Sequence, residues 1–187
     1  MGGLVGALVA LCPVIAAAQP APDGAGSPRI LPEAGPAASF KFYAGSNFDD
    51  VARTTNVPEL LTRIGLHDPA GEISLAVAKE LAKRKGGSIV SSSPADLTVT
   101  VTSTEWSAGF YMPHRQTYNL RYSAELTVAD AKGTTVKSAA CQVMPDDDNS
   151  AGGNDTLIAH GGRKLKEIYA KATESCLRSL ISKTKSL

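Results

Sequence analysis

The sequence predicts a two-layer α+β sandwich, in which an antiparallel sheet of four or five strands carries two main helices on one face. Three consecutive segments alternate apolar and polar residues with the period of two that is typical of half-buried strands, namely 97–106, 117–128 and 134–143. Two others, 68–84 and 155–181, repeat apolar residues at helical spacing. Because each strand has one apolar face only, we expect the helices to cover one side of the sheet.

An uncharged apolar segment opens the chain. Leu4–Ala18 ends in small residues and is too short to span a membrane. This composition is typical of a signal peptide, which we predict over residues 1–18, with cleavage before Gln19. The alternative is a lipoprotein acylated at Cys12, although Leu11 occupies the preceding position, which normally takes a small residue. We therefore expect a periplasmic or secreted protein, with an outer-membrane-associated location as the alternative.

The next segment is rich in Pro, Ala and Gly. Residues 19–38 bury too little apolar surface to offset the entropy lost on ordering, so we predict a disordered linker there. A single α+β domain is predicted over 39–187. It is expected to begin with a strand at Ser39–Ala44 and a short helix at Glu59–Ile64, which Gly65 ends.

A longer helix is predicted to begin at Asp68-Pro69. The Asp side chain can cap free amides, and a proline in the first turn loses no hydrogen bond. The basic residues Lys83–Lys85 favour the negative end of the helix dipole, and Gly86-Gly87 ends the helix. This basic cluster is interpreted as a helix terminus and not as a binding patch.

A short strand at Ser88–Ser91 precedes the three long strands, which form a meander. In the first long strand Leu97, Val99 and Val101 share the apolar face. In the second, alternate residues from Tyr118 to Val128 are predicted to be buried.

Two cysteines remain once the leader is removed. Cys141 lies near the end of the third long strand, and Cys176 lies on the apolar stripe of the last helix, which Asn154 or Asp155 can cap. Docking this stripe on the sheet brings the cysteines together, so we predict a disulfide, with two buried free thiols as the alternative. Gly161-Gly162 is expected to kink or delay the helix.

Charge and composition argue against several functions. The 19 Lys and Arg residues nearly balance the 18 Asp and Glu residues, and the net charge of +1 gives no reason to expect a nucleic-acid partner. Asp146-Asp147-Asp148-Asn149 offers oxygen ligands for calcium, but the spacing lacks the glycine and glutamate of a calcium loop. We interpret it as a solvated loop and predict no metal and no cofactor.

The candidate binding site is the predicted loop between the two longest strands, residues 107–116. Aromatic residues and methionine on a loop indicate a contact surface for a partner protein, an apolar ligand or a membrane. The alternative is a loop that folds back on its own sheet. The candidate residues are Phe110, Tyr111, Met112, His114 and Arg115.

The same loop suggests a catalytic alternative. Glu105 and His114 could form an acid–base pair across the hairpin, although no nucleophile with a recognisable surround accompanies them. A secreted inhibitor or effector is a third hypothesis. We expect a protein that is not an enzyme.

The stretch from Asp68 to Leu180 resembles small Gram-negative envelope lipoproteins, of the YajG type and of the lipopolysaccharide-assembly type. The resemblance lies in the helix DPAGEISLAVAKELAKRKG, the strand opening ADLTVTV, the pair TYNLRYSAELTVAD and TTVKSAACQ, and the closing helix EIYAKATESCLRSL. Together with the apolar leader, this resemblance leads us to expect an exported envelope accessory protein. It would bind an envelope protein or an amphipathic or lipid component. Membrane association is an open alternative, without a transmembrane span.

Overall fold

The structure is a computed structural model that describes residues 26–43, 57–111, 117–144, 146–147 and 154–187. Its strands are β1 (Arg29–Ala34), β2 (Lys41–Tyr43), β3 (Ser88–Ile89), β4 (Leu97–Tyr111), β5 (Thr117–Asp130), β6 (Thr135–Val143) and β7 (Asp146–Asp147). Its helices are α1 (Val57–Ile64), α2 (Ala70–Lys85) and α3 (Asn154–Lys183). The predicted α+β class is confirmed.

The sheet has the central order β3-β1-β4-β5-β6, with β2 paired to β4 and β7 paired to β5. Strands β4, β5 and β6 form the predicted antiparallel meander. In contrast, β1 is parallel to both β3 and β4, so the sheet is mixed and not purely antiparallel. Parallel neighbours need a crossover connection, and helices α1 and α2 lie in the connection from β1 to β3.

The predicted disordered linker requires a correction, because its C-terminal part is strand β1. Ile30 is fully buried and pairs with Leu97 of β4. Only Arg29 and Ile30 of β1 pair with β3, so Pro32 has a paired neighbour on the β4 side alone. A proline is tolerated at such an edge position. Two adjacent apolar residues, Ile30 and Leu31, were too weak a signal within a segment rich in Pro, Ala and Gly. The predicted signal peptide lies outside the described residues.

Strand β4 contains a bulge that keeps its apolar residues on the helix side. Ser103 pairs with Ala124, but Glu105 pairs with Ser123, so Thr104 is an extra residue. The bulge shifts the alternation by one position. Val99 and Val101 before it, and Trp106 and Ala108 after it, are all buried in the core. The alternate residues of β5 from Leu120 to Val128 complete this buried face, as predicted.

Local chemistry sets both ends of α2 and interrupts α3. The Asp68 carboxylate accepts a hydrogen bond from the Ala70 amide at 3.0 Å, which satisfies a free N–H in the first turn of α2. Gly86, with φ of 63°, ends that helix. Helix α3 is interrupted by non-helical residues from Ala159 to Gly162, which confirms the predicted kink.

Candidate functional site

The predicted binding tip is described only in part. Phe110 and Tyr111 lie in strand β4, where they pair with Tyr118 and Thr117 of β5. The predicted loop over 107–116 is therefore wrong for residues 107–111, since the strand continues to Tyr111. Met112, His114 and Arg115 lie outside the described residues, so their role in a contact surface stays a prediction.

The proposed acid–base pair is likewise described at one partner only. Glu105 Oε1 lies 4.0 Å from Arg121 Nη1 on the neighbouring strand and 3.5 Å from Ser107 Oγ, which donates to it. The structure thus brings Glu105 beside a guanidinium group. His114 is outside the described residues, and the catalytic hypothesis stays a prediction.

The predicted disulfide is confirmed. Cys141 of β6 and Cys176 of α3 are bonded, with their Cα atoms 5.3 Å apart. The two residues are 5% and 0% exposed, so the bond lies within the core. It covalently joins the edge strand of the meander to the helix that covers it. Disulfides of this kind persist in oxidising compartments and are rare in the cytosol.

The space between the sheet and the helices holds an aromatic cluster. The Trp106 ring lies 4.9 Å from Phe40, nearly perpendicular to it, and 5.4 Å from Tyr169 of α3. Tyr122 of β5 makes an edge-on contact with Tyr169 at 5.8 Å. Such edge-on pairs stabilise beyond the area they bury.

A buried polar network runs beside the aromatic rings. Ser103 Oγ donates to Asp68 Oδ1 at 2.5 Å, and Tyr122 Oη lies 2.9 Å from the same Ser103 oxygen. Since the single Ser103 hydroxyl hydrogen is used on Asp68, Tyr122 is the donor in the second bond. Asp68 also accepts from the Ala38 amide at 3.2 Å. Burial raises the pKa of Tyr122 to about 12, and the nearby Asp68 carboxylate also raises it.

Two buried polar atoms have no hydrogen-bond partner within the part of the chain that the structure describes. They are Trp106 Nε1 and Tyr169 Oη. Burial raises the pKa of Tyr169 well above its ordinary value, and the nearby Tyr122, Asp68 and Glu72 groups raise it further. An unpartnered hydroxyl in a core costs free energy, so Tyr169 is a point of local instability in this cluster.

The ring of Tyr169 also lines an open groove of about 350 Å³ between the segment 65–69 and helix α3. Leu66 and Leu177 contribute apolar surface to it. At its rim His67 Nε2 lies 2.9 Å from Glu72 Oε1, and both side chains are exposed. The volume falls at the lower end of the range found for small-ligand pockets. Sequence reasoning missed this groove, because its walls are far apart in the chain.

The acidic segment is only partly described. Asp146 and Asp147 form β7, which pairs with Asn119 and Tyr118 of β5. Over the described ranges, no group of three or more His, Cys, Asp or Glu side chains could hold a metal ion. None of the helices in those ranges is long and apolar enough to cross a membrane.

No family model and no curated protein matches the chain. Among solved structures, a DUF330 protein from Xanthomonas campestris is similar, with 12% identity over 86% of this chain and 89% of that one, at a TM-score of 0.44. A minor lipoprotein from Acinetobacter baumannii has 8% identity over 84% of this chain and 90% of that one, at a TM-score of 0.41. Rare lipoprotein B from Shewanella oneidensis has 14% identity over 76% of this chain and 93% of that one, at a TM-score of 0.38. The latter two belong to the class of Gram-negative lipoproteins that the sequence resembles.

Proposed function

We propose that this chain is an exported accessory protein of the cell envelope that acts by binding and not by catalysis. The observation that carries the proposal is the core disulfide between Cys141 and Cys176. A bond of this kind forms and persists in a periplasmic or extracellular environment. The apolar leader expected over residues 1–18 would direct the chain to the same place.

The intact mass of the protein, recovered from the envelope and medium of its own host, tests the location. We expect a chain that begins at Gln19 and gains the mass of the disulfide hydrogens on reduction. A chain beginning at an acylated Cys12 would support the envelope location and replace the soluble form by an anchored one. An uncleaved chain with free thiols would refute the proposal.

The contact is proposed at the tip of the β4–β5 hairpin. These are the longest strands of the described sheet, at 15 and 14 residues, and Phe110 and Tyr111 lie at the far end of β4. Met112 follows them in the sequence. Apolar side chains at the end of a long hairpin are well placed to reach a partner surface without disturbing the core. The partner would be an envelope protein or an amphipathic component.

A crosslinking experiment tests the tip. A photoreactive residue at Arg115 should capture a defined envelope component in living cells, and replacing Phe110, Tyr111 and Met112 by Ser should reduce capture at least about tenfold. The control carries Ser at three exposed apolar positions elsewhere, Leu75, Val136 and Met144. Both variants should keep the disulfide and the wild-type melting temperature. Equal capture by the two would refute the tip as the contact.

A further inference from the structure

One end of the sheet collects positive charge from several elements. Leu97 at the start of β4 pairs with Asp130 at the end of β5, and β6 begins directly after the following turn. Arg84 near the end of α2 donates to the carbonyl and hydroxyl oxygens of Thr184, each at 3.0 Å, so the ends of α2 and α3 meet there too. We call this the basic end; its cations are Lys83–Lys85, Lys132, Lys137 and Lys185.

Few side-chain carboxylates offset this charge, and Lys85 Nζ donates to a backbone oxygen of Leu187 at 2.5 Å. Glu80 pairs with Arg84 at 3.7 Å, and Asp130 accepts the amides of its own turn. The nearby ion pair of Arg29 and Asp96, at 3.4 Å, is neutral as a unit. Because the whole chain carries a net charge of only +1, the remainder of the protein is net negative. The hairpin tip lies at the opposite end of β4 and β5 from the basic end.

The positive charges at this end are available to a partner. Lys83, Lys132 and Lys185 are exposed, and their ammonium groups make no hydrogen bond or ion pair within the described ranges. Lys137 Nζ donates to Ser186 Oγ at 2.9 Å. Since this acceptor is neutral, it holds Lys137 in place without cancelling its charge.

The chain enters the domain at the same end. The Pro28 carbonyl accepts from the Ser88 amide at 2.9 Å, next to the glycines that end α2, and β1 begins one residue later. The segment that precedes Gly26 therefore joins the domain beside Lys83–Lys85. If that segment is held at a membrane, the basic end faces the membrane.

We propose that the basic end binds an anionic phospholipid surface. Charges distributed over the ends of α2, α3 and the β5–β6 turn suit an extended anionic surface better than a single compact anion. The Lys83–Lys85 cluster, which the sequence explains as a helix terminus, is in the structure one part of a larger patch. This proposal does not depend on the hairpin tip or on the site of leader cleavage.

Co-sedimentation with vesicles tests the proposal, using the purified protein with the disulfide intact and Cys12→Ser to exclude an acyl anchor. We expect binding to phosphatidylglycerol mixed with phosphatidylethanolamine, little binding to phosphatidylcholine, and loss of binding at high salt. The variant Lys83→Gln/Lys132→Gln/Lys185→Gln should bind roughly 100-fold more weakly, since each lysine near an anionic surface contributes about fivefold.

The matched control is Lys41→Gln/Lys166→Gln/Lys171→Gln, which removes the same charge from exposed lysines away from the basic end. It should bind within about twofold of the wild type, because the charges that it removes lie more than about one Debye length from the contact and are screened by salt. Equal losses in the two variants would show that only net charge matters and would overturn the proposal. Equal binding to both kinds of vesicle, or tighter binding to a single-stranded oligonucleotide, would also overturn it.

Discussion

The disulfide between Cys141 and Cys176 should contribute a large part of the stability of the fold. The two residues are separated by 35 positions, and closing a loop of this length lowers the entropy of the unfolded chain by about 13 cal/mol/K. At 25 °C this corresponds to about 4 kcal/mol of the unfolding free energy. Natural domains are stable by about 5–15 kcal/mol, so loss of the bond should leave a marginal protein.

The double variant Cys141→Ala/Cys176→Ala isolates this contribution. Alanine is preferable to serine because both positions are buried, and serine would place two hydroxyl groups in an apolar setting. With a typical urea dependence of about 2 kcal/mol per molar, the midpoint of urea unfolding should fall by about 2 M. Adding reductant to the wild type should lower its midpoint of urea unfolding by a similar amount.

The double variant is its own control, since reductant should leave its midpoint unchanged. A fall of less than about 1 kcal/mol in the double variant would refute the loop-entropy argument. It would mean that the segment between the cysteines, which includes β7 and the start of α3, is already restricted in the unfolded state.

The remaining predictions concern the buried tyrosines. Tyr169→Phe removes a hydroxyl with no partner among the described residues, so it should raise the unfolding free energy by about 1 kcal/mol. Tyr122→Phe loses the bond to Ser103, so it should lower the unfolding free energy by about 1 kcal/mol. Urea midpoints measure both changes, and a large loss in Tyr169→Phe would show that its hydroxyl is bonded. Burial raises the pKa of both tyrosines above the ordinary 10.0, that of Tyr122 to about 12. The unfolded state therefore loses these protons first, so stability should be complete below about pH 10 and should fall towards pH 12. Urea midpoints that stay constant over this window would contradict the burial of both hydroxyls.

Several parts of the fold follow from local patterns alone. The alternation over residues 120–128 places the correct residues of β5 in the core, because a strand in a half-buried sheet has a period of two. Asp68 accepts the Ala70 amide just before α2, where Pro69 is the N-cap, and Gly161-Gly162 interrupts α3, since such a bond and positive φ values act within a few residues. The disulfide was also predictable, because both its cysteines lie on apolar faces that pack together.

Local patterns of this kind do not predict which distant strands pair with each other. Strand β1 has only two adjacent apolar residues in a segment rich in proline, alanine and glycine, and its place in the sheet is decided by backbone pairing with β3 and β4. A proline- and glycine-rich composition indicates disorder on average, but it does not show that a neighbouring strand has an open edge.

The sequence by itself determined the class of fold, the two-faced meander and the cysteine pair, because these depend on periodicity and on side-chain type. The tertiary structure decided the parallel position of β1, the groove beside Tyr169 and the convergence of Lys83, Lys132 and Lys185 at one end. Each of these depends on residues that are distant in the chain. Their proximity arises only when burial of the shared core brings separate elements together.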